Sequence, residues 1–251
     1  KGTDRRDGCA EERAEIHRLF PSATTLRMDI DTTAKKHAHE KILRRFAEEN
    51  INILIGTQMV TKGLDFPNVT LVGVISADTL LNIDDYRSLE RTFSILEQVT
   101  GRAGRSDKPG RSIIQTYSPD SRAIQLVKHH DYITFYNEEL AARKAMWYPP
   151  FSEMISVIFS GTSENLVAQC SRFYARNLER LRELSQKTQV IGPIPAAISK
   201  IKNKYRYRII IKCENADFIS GILLDAQHMC AKNENYGDIT IIIDKNPNSM
   251  G

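Results

Sequence analysis

No run of 18 consecutive apolar residues occurs in this 251-residue chain, and its first residues lack the basic, apolar, then small pattern of a secretion signal. The expectation is a soluble cytoplasmic protein, neither spanning a membrane nor exported. Cysteine is scarce and scattered. Cys9, Cys170, Cys213 and Cys230 show no C-x2-C spacing, which argues against a zinc site or a small disulfide framework and leaves free thiols as the simplest reading. Charge of one sign is not in large excess: 35 lysines and arginines stand against 31 aspartates and glutamates, a net of +4, so a polyanion would have to meet a local basic surface. Internal repeats and low-complexity tracts are absent. There is no initiating methionine, and the polar start at Lys1-Gly2-Thr3-Asp4 runs straight into a helical pattern, which suggests a piece of a longer polypeptide.

The 41% hydrophobic content is enough for two ordinary cores. Apolar residues recur at helical spacing from Glu11 to Phe20, and Pro21 ends the pattern. A strand over 24–28, a polar turn over 29–33 and a helix over 36–49 with Ile42, Leu43 and Phe46 on one face follow. Short apolar runs over 51–55, 69–75 and 112–117 have the β-branched content of buried parallel strands, and 84–98 reads as a helix. Strands alternating with helices imply a doubly wound α/β layer with ligand loops at the strands' carboxyl ends, 56–67 being one of them.

Residues 120–146 read as one long helical stretch, closed by Tyr148-Pro149-Pro150-Phe151, where two prolines forbid continuation and a domain boundary is expected. Beyond it the order is strand (152–160), helix (163–185), strand (189–191, resuming at 195–199), strand (205–213), helix (216–232), strand (238–244). That β-α-β-β-α-β succession is the split βαβ arrangement, an antiparallel sheet with two helices on one face.

The sharpest pattern is Gln98-Val99-Thr100-Gly101-Arg102-Ala103-Gly104-Arg105. Two arginines three apart at a helix end face one direction, and Gly101, Ala103 and Gly104 let the backbone approach a partner surface. Phosphoryl transfer needs cationic hydrogen-bond donors where charge develops, and donors on a second lobe reach that place only when the lobes close. The plainer alternative is a solvated basic loop. About forty residues upstream, after a buried-type strand, stands the stretch from Ile55 to Pro67. The Thr57 hydroxyl and backbone N–H groups there suit a nucleic-acid phosphate, and Gly63 permits a turn that aims Asp65 at a lobe interface. Otherwise Thr57 is a cap and Asp65 a turn residue.

The 98–105 string has the Q-x-x-G-R-x-G-R pattern of superfamily 2 helicases. Gly56-Thr57-Gln58-Met59 through Lys62-Gly63-Leu64-Asp65-Phe66-Pro67-Asn68-Val69 resembles motif V of the PriA (primosomal protein N′) family of bacterial replication-restart helicases. Leu26-Arg27-Met28-Asp29 with Asp31-Thr32-Thr33, Glu90-Arg91-Thr92-Phe93, and Tyr148-Pro149-Pro150-Phe151 carry the same resemblance, from about Glu11 to the end of the chain. It implies a RecA-like second helicase lobe, with a parallel sheet and helices on both faces, over 1–118, a helical linker over 119–150 and a small α+β C-terminal domain over 151–251. It further implies a DNA-dependent ATPase that unwinds duplex 3′ to 5′ at stalled forks and helps assemble the primosome. Arg105 would be the arginine finger, with Arg102 and Gln98 also facing the γ-phosphate; Gly63 and Asp65 would lie near the nucleotide; and Gly56, Thr57, Gln58 and Lys62 would touch the tracking DNA strand. The implied partners are forked and single-stranded DNA, the acidic tail of single-stranded-DNA-binding protein and primosome proteins, with the protein a monomer near the nucleoid.

No G-x-x-x-x-G-K-[ST] loop and no D-E-x-H box occurs, so ATP and Mg²⁺ are expected to be held by a first lobe outside this chain, and the chain alone is not expected to hydrolyse ATP. The family's Zn²⁺ module has no site in this chain, since Cys9 lacks a partner nearby, and it is expected either to lie upstream of Lys1 or to have been removed. In the C-terminal domain Lys200, Lys202, Lys204, Arg206 and Arg208, interleaved with Tyr205 and Tyr207, read as a basic hairpin that tracks a phosphate backbone and stacks on bases, or else as a strand edge protected by lysines. His129-His130 is read as surface and Trp147 as a structural anchor. Two rival functions stay open: a repair motor of the same superfamily, and a non-catalytic module that binds DNA and recruits partners.

Overall fold

The computed structural model describes residues 5–29, 37–57, 66, 68–103, 109–184 and 187–249. They group into two units, Lys1–Leu80 with Arg91–His130, and Leu81–Glu90 with Asp131–Gly251.

In the first unit helix α1 (Arg5–Leu19) is followed by β1 (Thr25–Met28), α2 (Ala38–Glu48) and β2 (Ile53–Gly56). β1 and β2 pair in parallel, Thr25 opposite Ile53 and Met28 opposite Gly56. Their register is pinned where Thr24 N and Oγ1 both donate to Asn52 Oδ1 at 2.9 Å. The α2 face expected from the periodicity is the one that packs: Leu43 is buried with Met28 and Phe66, and Ile42 and Phe46 lie against them. Burying a leucine of this kind contributes about 1.5–3 kcal/mol. The opposite face of α2 is laced by Arg44–Glu48 and Arg45–Glu49 pairs one turn apart.

The second parallel pair is β3 (Leu71–Val74) with β4 (Arg111–Ile114), Leu71 opposite Arg111. These apolar runs were expected to be buried on both sides. Instead burial alternates, with Leu71 59% and Ile113 48% exposed, because a sheet two strands wide has one covered face. Between them lie the short α3 (Asp78–Leu81) and α4 (Ser88–Thr100), which buries Thr92, Phe93 and Leu96. The helix expected from residue 84 starts only at Ser88, since residues 84–87 close a turn in which Asp85 Oδ1 accepts from Arg87 N at 3.0 Å. The helical stretch read over 120–146 is two helices, α5 (Arg122–Lys128) and α6 (Tyr132–Ala145). His130 takes a left-handed φ of 52°, and Asp131 caps α6 by accepting from Thr134 N at 3.0 Å.

The second unit has the split βαβ succession: β5 (Glu153–Gly161), α7 (Glu164–Asn177), β6 (Thr188–Ile201), β7 (Lys204–Cys213), α8 (Ala216–Ala231) and β8 (Thr240–Lys245). The strands lie in the order β6-β7-β5-β8, every neighbouring pair antiparallel. Strand alternation sends Ile155, Val157 and Phe159 of β5 and Ile209, Ile211 and Cys213 of β7 into one core with Val167, Cys170 and Tyr174 of α7 and Ile219, Leu223 and Cys230 of α8. Tyr174, fully buried, satisfies its hydroxyl on the Leu223 carbonyl at 2.9 Å. α7 is shorter than its apolar pattern suggested and passes into a 3₁₀ turn, Glu179–Glu183. β6 is one strand where two pieces were expected, its register shifting between Ile191 and Ile194 and again between Pro195 and Lys200. At the first shift Gly192 has φ +105°, and a β-carbon there would stand 2.9 Å from the Arg208 carbonyl oxygen. Among the described residues no helix is long and apolar enough to cross a membrane.

Candidate nucleotide and nucleic-acid interface

The carboxyl end of α4 carries two of the residues expected to face the γ-phosphate, Gln98 and Arg102. Its amphipathic face is buried through Leu96, which leaves Gln98 exposed one position past Glu97. Thr100 Oγ1 donates back to the Leu96 carbonyl at 2.8 Å, Gly101 N to the Glu97 carbonyl at 3.0 Å and Arg102 N to the Val99 carbonyl at 3.1 Å. The turn therefore continues through the glycine. A β-carbon at Gly101 would meet the Glu97 carbonyl oxygen at 3.2 Å, so this close helix ending suits a residue without one. Ser112 Oγ donates to the Thr100 carbonyl at 3.2 Å and ties the helix end to β4. Arg102 is half-buried. Glu97 is held from the side by His130, Oε2 to Nδ1 at 3.0 Å. The histidine, read as surface, is exposed and belongs to the break between α5 and α6.

Gly56 and Thr57 lie, both exposed, at the carboxyl end of β2. Gln58, Lys62, Gly63, Asp65 and Arg105 lie outside the described residues. Phe66 is buried in the core of this unit, its ring edge-on to Phe46 at 5.1 Å. Asp78 braces the same unit: its buried carboxylate accepts from Tyr117 N at 3.0 Å and Thr116 Oγ1 at 3.0 Å. Burial pushes this carboxyl up, but those hydrogen bonds together outweigh it and hold it below its ordinary value.

In the second unit the basic hairpin splits by burial. Lys202 and Asn203 form its two-residue turn with φ 47° and 63°, and Lys200, Lys202 and Lys204 are exposed around it. Arg206 is half-buried, its Nη1 3.4 Å from the Ile198 carbonyl. Arg208 departs from the basic-surface reading: it is 4% exposed and paired with Asp84. The tyrosines depart too, since Tyr207 packs on the core and Tyr205 is covered by Lys200, with Nζ 4.5 Å from the ring centroid. Strand alternation alone could not show which of these positions another segment covers.

That segment, residues 84–90, makes a cluster of contacts that sequence reading missed. Tyr86 stacks on Tyr148 with centroids 5.0 Å apart and planes 6° from parallel. Arg87 and Arg143 place their Cζ atoms 4.8 and 5.1 Å from the Tyr86 centroid, and Lys212 Nζ lies 3.6 Å from that of Tyr148. Lys212, 4% exposed, also donates to the Met146 carbonyl at 2.9 Å, and burial lowers its pKa. The one signal in the sequence was Asp85 two residues ahead of Arg87, the spacing of an Asx turn. Trp147, read as an anchor, is half-buried with Lys187 Nζ 4.4 Å from its ring. Among the described residues no three His, Cys, Asp or Glu side chains stand together as a metal site.

Comparison with known families fits this order of parts. Residues 9–107 match the helicase conserved C-terminal domain, and residues 144–248 the primosomal protein N C-terminal domain. The replication restart protein PriA of Bacillus subtilis is 45% identical over 236 residues, 94% of this chain and 29% of that protein. Its counterparts in Synechocystis, 45% identical over 77% of this chain and 23% of theirs, and in Chlamydia muridarum, 36% identical over 87% and 29%, agree. The chain thus spans less than a third of the length of these relatives. A helicase conserved C-terminal domain followed by a primosomal protein N C-terminal domain, with these relatives, places the chain in the PriA family, as the counterpart of its C-terminal part.

Proposed function

We propose that this chain is the C-terminal part of an ATP-dependent 3′ to 5′ DNA helicase acting in replication restart and primosome assembly. In this reading its first unit brings hydrogen-bonding cations to a nucleotide held by a phosphate-loop lobe elsewhere in the protein. The observation that carries it is the end of α4, where Gln98 is exposed and Arg102 follows Gly101 on the closing turn, within the stretch that matches a helicase C-terminal domain. Arg105 acts as the finger, Arg102 and Gln98 assist at the γ-phosphate, Gly63 and Asp65 border the nucleotide, and Gly56, Thr57, Gln58 and Lys62 meet the tracking strand. Guanidinium N–H donors suit phosphate oxygens and cannot ligate a cation, and in this reading the phosphate-loop lobe would hold Mg²⁺. Bound Mg²⁺·ATP supplies the transferable phosphoryl group and neutralises part of its charge. This chain's share is to place fixed N–H donors where negative charge grows.

The exposed lysines around the Lys202–Asn203 turn favour a second contact, with the single-stranded DNA backbone. The acidic tail of single-stranded-DNA-binding protein is the alternative occupant of that hairpin. Joining the chain to a phosphate-loop lobe should give DNA-stimulated ATP hydrolysis, and Arg105→Ala in that protein should lower kcat about 10³-fold or more while the unfolding midpoint stays where it was. Turnover unchanged by the substitution would remove the finger assignment.

A further inference from the structure

We propose that Glu97 and His130 form a latch inside the first unit that holds the closing turn of α4, with His130 a positioning residue for Gln98 and Arg102; this rests on the reading of those two residues given above. Both partners belong to the stretch Arg91–His130, so the latch is complete within one unit.

Each partner stands where its residue type is costly. Glu97 lies in the last turn of α4, which carries no basic residue, and a carboxylate there faces the negative end of the helix dipole. Its Oε1 is buried and accepts no hydrogen bond among the described residues, a state that buried oxygens seldom keep. His130 is the residue just past the end of α5, its N–H donating to the Val127 carbonyl at 3.1 Å and its φ at 52°. A left-handed residue that closes a helix in this way is usually glycine, which bears no steric cost there. The imidazole is what glycine could not supply: Nδ1 donates to Glu97 Oε2 at 3.0 Å. The residue that ends α5 is thus also the one whose ring reaches α4.

Glu97 is the hub of the turn it opens. Its carbonyl oxygen accepts from Gly101 N at 3.0 Å and from Thr100 Oγ1 at 3.3 Å, bonds that bend the chain into the turn bearing Arg102, and Gln98 is its next neighbour. The Thr100 carbonyl is tied separately to Ser112 Oγ of β4 at 3.2 Å. A single tie would leave the turn free to swivel about it. A second one, to another element and three residues away, removes that freedom. The pair is partly exposed, Glu97 by 26% and His130 by 63%, so it adds little to the stability of the unit. Its effect falls on the orientation of donors that must meet charge on a nucleotide, where small displacements cost rate.

His130→Gly removes the ring and leaves the left-handed backbone unstrained, while His130→Asn keeps a side-chain N–H donor close to the place of Nδ1 on a residue that tolerates positive φ. In the 251-residue chain itself, amide hydrogen exchange at Gly101 and Arg102 should speed up about threefold or more in His130→Gly, return to the parent rate in His130→Asn, and stay unchanged over β1. In the chain joined to a phosphate-loop lobe, His130→Gly should lower the DNA-stimulated kcat about fivefold with the KM for ATP within about twofold, and His130→Asn should restore it. Glu97→Ala combined with His130→Gly should lose no more than Glu97→Ala alone. Parent-like exchange at Gly101 and Arg102 in His130→Gly, or losses that add in the double variant, overturn the latch. Absence of ATP hydrolysis in the parent joined protein would instead defeat the helicase reading, and the exchange measurement would still decide whether His130 orders the end of α4.

Discussion

Cys213 sits on β7 with no exposed surface, its thiol 3.9 Å from the Glu153 carbonyl oxygen. Burial first, and the nearby Glu153 carboxylate second, push its pKa from 9.0 to about 11. The folded chain thus keeps a proton that the unfolded chain has lost, so this group favours folding below pH 9 and loses that contribution as the pH rises from 9 towards 11. Urea unfolding at pH 8 and pH 10.5 should show a loss on the order of 1–3 kcal/mol that Cys213→Ala reduces; an identical loss in the variant would show the thiol is not its source. Individual side chains were unevenly legible. The scattered cysteine spacing pointed to free thiols, and Cys213 is one. That Arg208 and Lys212 are buried cations did not follow, because both sit on a strand face whose cover comes from sequence-distant Asp84 and from Met146 and Tyr148.

Among the elements, periodicity located the α2 face and the strands of the second unit, because each has one side paid off by burial in a single local core. It failed where a local side-chain bond competes with the helix. Asp85 and Asp131 take backbone N–H groups for their own carboxylates, which delays α4 to Ser88 and cuts the 120–146 stretch in two. β6 is the opposite case, a strand kept whole across Pro193 and Pro195 by local irregularity. The first irregularity depends on Gly192, whose φ of +105° and close approach to Arg208 O leave no room for a side chain. Gly192→Ala should destabilise the second unit by about 1–3 kcal/mol, measurable as a lower denaturation midpoint with an unchanged slope. A midpoint equal to the parent's would mean the strand can shift at no cost.

For the molecule as a whole, a net charge of only +4 makes polyanion binding a question of where the lysines stand. If the hairpin meets single-stranded DNA, replacing Lys200, Lys202 and Lys204 together by glutamine should flatten the plot of log affinity against log salt by about 2, at roughly 0.7 per neutralised phosphate. Fluorescence anisotropy across a salt series reads this directly, and an unchanged slope would take these side chains off the DNA path. The sequence's alternation of strands and helices, with the 98–105 pattern, made the helicase lobe legible; the contribution of residues 81–90 to the other unit was hidden, since nothing in a linear reading marks a segment that folds with distant chain. That crossing has a consequence for how such proteins can be recombined. Two halves joined like beads can be exchanged by cutting the string between them. Here ten residues of the earlier half are stitched into the later one, so a transplant of the C-terminal unit into a foreign motor must carry Leu81–Glu90 with it, or Tyr148 loses its stacking partner and Arg208 its counter-ion.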